Sequence, residues 1–234
     1  MGRARWSGVV ATVVCSGGLL LAPAALAADR YAEPDGDGPP GSCLLPDPCD
    51  IQDAVEDPSV TDGDVVHVLP GDHVYSTFPD PTGANTVVVD DGITVRGEPG
   101  QPRPRIIITG NGLRVFDPDA VIRRLHIEAN SGTHALGASV PATLEQLVLV
   151  ATGNADHAAV LEDGALLRDS VAWSDLAQAV VTRGTGATLT NVTAIGTDFA
   201  DGVLVDSDFG GTQTVTDGTL TVIFNSLGLF TITA

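Results

Sequence analysis

The sequence predicts an all-β chain wound as a parallel β-helix, and three observations carry that expectation. First, a pattern returns about every 22 residues: Asn111, His134, His157, Gln178 and Asp201 fall in one column, separated by 23, 23, 21 and 23 residues. Second, apolar residues stand two and four places after each member, as Leu113/Val115, Leu136/Ala138, Ala159/Leu161, Val180/Thr182 and Val203/Val205. Third, another signature recurs out of phase, as Ile122-Leu125-Ile127, Leu144-Leu147-Leu149, Leu167-Ser170-Ala172 and Leu189-Val192-Ala194. A fixed period built from short alternating runs marks stacked supersecondary units.

The runs alternate over four or five residues and are rich in Val, Leu and Thr, so one side-chain set points inward and the other outward along a strand. A helical repeat needs apolar spacing of three and four sustained over ten or more residues, which no unit offers. Units of 21 to 23 residues fit three short strands with their bends. Each turn then hydrogen-bonds to the next at about 4.8 Å. The strict Leu/Asn signature of a leucine-rich repeat is missing. A β-sandwich would not hold one register over four steps.

In chain order, residues 1–27 read as a targeting segment: Arg3 and Arg5, an apolar run Val9–Ala22, then Ala25-Leu26-Ala27 before a mature start at Ala28. The run is too short for a typical membrane span, and Cys15 lies inside it without the small residues that precede a lipidated cysteine. The expected location is therefore outside the cell. Losing Arg3 and Arg5 leaves 9 basic residues against 30 acidic ones, net −21, with no Lys anywhere. That field disfavours nucleic acid and anionic lipid as partners. Cys43 and Cys49, with five residues between them in an exported chain, read as a small disulfide loop that staples locally.

Residues 28–62 form an opening segment and cap: a strand at Tyr31, an Asp/Gly/Pro-rich loop, then Asp50 capping a short helix through Ile51, Ala54 and Val55 that ends before Pro58. Laid across the open end of a solenoid, such a helix hides the first apolar rung. From residue 63 to 234 the chain reads as the β-helix itself, about six or seven rungs. Gly63 to Tyr75 gives two strands around Pro70-Gly71, Thr86–Val89 and Ile93–Val95 add a rung, and Ile106–Ile108 opens the next. No charge follows Asp217, so the expectation for the last rung is an incomplete C-terminus or an edge that pairs with a partner.

The stretch Cys43 to Val55, followed by Gly63-Asp64-Val65-Val66 and Leu69-Pro70-Gly71, resembles the N-terminal module of secreted bacterial right-handed parallel β-helix proteins of the pectate-lyase-like superfamily. The resemblance covers residues 30 to 205 and implies a right-handed coil, which periodicity alone does not show.

Candidate chemistry is sparse. His134 and His157 would stack on adjacent rungs, with Asp156 and Asp201 near their column, but Asn111 and Gln178 share it and a polar corner is the simpler reading. Asp206 and Asp208 alternate before Gly210-Gly211 as in some calcium loops, without the later bidentate Glu; calcium is the one cofactor considered, and none is expected. Asp198 and Asp201 are the only carboxylates spaced for glycoside hydrolysis. The resemblance implies further elements for catalysis, a third Asp, a His-Gly pair and a basic element in the hydrolases, or clustered carboxylates with an Arg or Lys base in the lyases, and these are absent. Trp173 is the single mature Trp, so no sugar-stacking platform stands out. The expected function is an exported, non-catalytic scaffold for a polysaccharide or cell-surface component, with a lyase or glycoside hydrolase of the same superfamily as its rival. The register also places Arg123, Glu145 and Arg168 on consecutive rungs as a plus-minus-plus column.

Overall fold

The computed structural model describes residues 27–39, 41–75, 86–184 and 186–196, and the backbone of 203–206, 212–216, 222–225 and 229–233. Its strands form three parallel ladders, the faces of a β-solenoid.

The first ladder runs through β1 (Asp29–Ala32), β2 (Val65–Val68), β5 (Thr94–Gly97), β8 (Val121–Arg123) and β10 (Thr143–Glu145). It continues into the first halves of β12 (Leu166–Ser174) and β14 (Thr188–Gly196), then β16 (Thr212–Thr216) and β18 (Leu229–Thr233). Successive partners Val65, Thr94, Val121, Thr143, Leu166 and Thr188 mark five turns. The second ladder joins β3 (Asp72–Tyr75), β6 (Arg105–Thr109), the first halves of β9 (His126–Ala138) and β11 (Val148–Leu161), and the second halves of β12 and β14. The third joins β4 (Thr86–Val89), β7 (Gly112–Val115), the second halves of β9 and β11, β13 (Val180–Thr182), β15 (Val203–Asp206) and β17 (Val222–Asn225).

Both repeating signatures hold their register. Leu113 pairs with Leu136, Leu136 with Ala159, Ala159 with Val180 and Val180 with Val203. Ile122, Leu144, Leu167 and Leu189 line one inner column, and Ile127, Leu149, Ala172 and Ala194 another. Most of these side chains are fully buried, a continuous apolar column of the kind repeat stacking requires. Ser170 breaks the corner column of Leu125, Leu147 and Val192, yet its hydroxyl donates to the Arg168 carbonyl at 2.6 Å and accepts from the Leu147 amide at 3.0 Å. A buried polar group is thereby satisfied. The sharp bend just before this column puts Arg124, Gln146, Asp169 and Asn191 in the left-handed region, at φ 58°, 56°, 51° and 52°. The plus-minus-plus column forms as expected: Glu145 lies between Arg123 at 3.8 Å and Arg168, whose Nε donates to it at 2.8 Å.

The N-terminal end is closed by α1 (Ile51–Glu56), with Asp50 accepting from the Asp53 amide at 2.8 Å and Ile51, Ala54 and Val55 buried. The helix packs on β4, β1 and β2. Glu56 Oε1 accepts from the Val88 amide at 2.7 Å, so a side chain takes the place of a neighbouring strand at the outer edge of β4. Below the first inner column, the buried Arg30 donates to the buried Asp64 at 3.3 Å, and Asp64 also accepts from the amides of Ala28 and Thr61. The Cys43–Cys49 disulfide is present, and the backbone of both cysteines bonds to Tyr31 on β1. Among the described residues no helix is long and apolar enough to cross a membrane.

Candidate functional site

The third face carries a groove, a cleft of about 350 Å³ that runs along the solenoid axis over four rungs. Its floor follows from strand alternation. With Leu113, Leu136 and Ala159 turned inward, the next residues, Arg114, Gly137 and Val160, form the outward column that floors it. One wall is the polar corner seen in the sequence: Asn111, Thr133, His134, Asp156 and His157. The other wall is Ser139, Glu162 and Arg183.

His134 and His157 are register partners, as the column requires. The His134 ring lies over Gly137, where a Cβ would overlap Nε2; glycine is needed for this close approach. Thr133 Oγ1 donates to Asn111 Oδ1 at 3.4 Å and so can accept from His134 Nδ1 at 2.8 Å. That arrangement leaves the buried Nε2 as a lone pair with no partner in the protein. Burial, reinforced by the charges of Arg114, His157 and Arg183, pushes the His134 pKa down to about 4. His157 donates from Nδ1 to the Gln178 carbonyl at 3.2 Å. Burial holds its pKa below the usual imidazole range, against the opposing pull of that bond and of Asp156. Both rings are thus neutral near pH 7, and His157 retains a basic Nε2. Glu162 sits 3.9 Å from Arg183, while Arg114 stacks its guanidinium 4.8 Å over the Phe116 ring.

Comparison with protein-family models, curated proteins and solved structures gave no match. The chemistry must therefore be read from the groove itself.

The groove offers guanidinium, carboxylate, imidazole, hydroxyl and amide groups around a small apolar floor, a set suited to a ligand rich in hydroxyls. Asp198, Asp201 and Asp208 lie outside the described residues, and of Asp206 only the backbone in β15 is described. No group of three or more His, Cys, Asp or Glu that could hold a metal occurs among the described residues. The sequence reading found the corner wall and missed the rest. The signal was present: Arg114, Gly137 and Val160 stand three places after the column, and Ser139, Glu162 and Arg183 five places after it.

Proposed function

We propose that the protein is an exported right-handed β-helix scaffold of the pectate-lyase-like kind that holds a glycan segment in the third-face groove without cleaving it. The leader-like residues 1–27 and the disulfide, which suits an oxidising compartment, support export. The observation that carries the binding reading is the axial run of the groove. Four rungs span about 14 Å, three steps of ~4.8 Å, a length that takes a few sugar units in extended form. Hydroxyl recognition falls to Asn111, Asp156 and Glu162, and Arg114 supplies a cation for an acidic sugar.

The test is isothermal titration and turnover on pectate, alginate, hyaluronan and neutral glycans, with and without calcium. Binding that weakens in Arg114→Ala and Asp156→Ala, with no product formed, is the expected result. The rival reading, a lyase or hydrolase, draws on one observation: His157 is neutral, carries a free base nitrogen and sits in the groove. Turnover abolished by His157→Ala, or by Asp198→Ala or Asp201→Ala, would replace the scaffold with an enzyme.

A further inference from the structure

A second site lies away from the groove, at the corner between the first and second ladders. Thirty acidic residues face eleven basic ones in this chain, so a guanidinium without a carboxylate is unusual here. Two such groups occur together. Arg105 pairs in register with His126, and the Pro104 carbonyl accepts from the His126 amide at 3.0 Å. Two residues before this pair the chain carries Arg103 on one segment and Arg124 on the other, near enough for the charge of Arg124 to act on Arg103. Gly97 confirms the closeness of the packing: a Cβ there would lie 2.5 Å from the Arg124 carbonyl and 2.7 Å from the Pro104 ring. The loop 98–104 therefore leaves and rejoins the coil directly against Arg124.

Neither arginine finds an anion there. Arg124 donates Nη2 to the Glu98 backbone carbonyl at a long 3.4 Å, and its Nε is buried with no hydrogen-bond partner. Arg103 is exposed and makes no hydrogen bond or ion pair among the described residues. The nearby carboxylates are committed: Glu98 to His67 at 2.5 Å and Arg96 at 3.6 Å, Glu128 to Arg105 at 2.6 Å. Partial desolvation of this exposed side chain first, and the charge of Arg124 second, pull the Arg103 guanidinium below its ordinary pKa.

We propose that Arg103 and Arg124 form a binding site for a tetrahedral oxyanion, a sulfate or phosphate group, free or as an ester. Guanidinium forks match two oxygens of such a group, and one dianion neutralises both charges. The site is independent of the glycan groove and stands or falls separately.

The experiment is an NMR titration of the arginine Nε–H resonances of the purified protein with inorganic sulfate and inorganic phosphate against chloride, at constant ionic strength. Saturable shifts at Arg103 and Arg124 are expected, with binding weakened about tenfold or more in Arg103→Gln, the loss that goes with one charge-assisted hydrogen-bond pair. Arg103→Glu places a carboxylate opposite Arg124; it should abolish the titration and raise the melting temperature in chloride. Glucose 6-sulfate and glucose 6-phosphate form the second arm, tighter binding than the free ions identifying an ester as the source and weaker binding a free ion. The proposal is overturned by unsaturable shifts, by an unchanged affinity in Arg103→Gln, or by an Arg103→Glu variant that melts lower than the wild type.

Discussion

Gly137 shows how a single missing Cβ shapes the groove. Gly137→Ala would drive the His134 ring off the floor, and overpacking of this kind costs about 1–3 kcal/mol; urea denaturation measures it. His134 also makes stability depend on pH. Its folded pKa, about 4, lies below the ordinary value of 6.5, so the unfolded chain binds more protons between those limits. The contribution is fully present above pH 6.5 and is lost as the pH falls towards 4. The full loss is on the order of 3 kcal/mol, by ~1.4 kcal/mol per pKa unit. His157, His73 and His126, also lowered chiefly by burial, act in the same direction. The slope of melting temperature against pH should therefore diminish in His134→Gln without vanishing. At the tight bend, Gln146 is exposed at φ 56°, a conformation asparagine adopts more readily. Gln146→Asn should gain up to about 1 kcal/mol, read from the denaturation midpoint.

At the scale of elements, the parallel ladders place like positions one above another, so each outward column is a line of interacting side chains. Glu145 answers two arginines from neighbouring rungs, and its removal leaves Arg123 and Arg168 facing each other across the gap. Pairs this open to solvent are weak; Glu145→Ala should cost about 1 kcal/mol or less, and the cost should shrink in high salt. A double-mutant cycle with Arg168→Ala separates the pair energy from the rest. The same stacking builds both functional proposals: the groove is three outward columns side by side, and the Arg103–Arg124 pair is two successive rungs of a corner.

For the whole molecule, the end where stacking begins depends on local devices. There α1, the Glu56 bond to Val88 and the buried Arg30–Asp64 pair replace the missing rung, and the disulfide holds the opening segment to β1. The cysteines lie 6 positions apart, so closing their loop stabilises by about 2 kcal/mol on chain-entropy grounds. Reduction should destabilise the opening segment by roughly that amount, as local opening. Hydrogen exchange should show the loss of protection at Tyr31, Glu33 and Cys49, whose amides bond across this segment, with the rungs beyond Thr94 unaffected.

The sequence by itself determined the coil. Period-two alternation inside a repeat of about 22 residues leaves one way to bury every apolar column, so Leu113, Leu136 and Ala159 had to stack, as had Ile122, Leu144 and Leu167. Asp50 and the pattern Ile51, Ala54, Val55 likewise fixed the cap, because capping and amphipathic spacing are local. The His134–His157 stack followed from the same register. Only the tertiary structure decided what those residues face. Whether His134 lies over Gly137, whether Arg114 turns to Phe116, and whether Arg103 meets Arg124 depend on loop path and side-chain direction, which a repeat does not encode. Registers are set by burial, repeated at every rung; sites are set by the outward residues, where burial imposes no repeat and each position is free to differ.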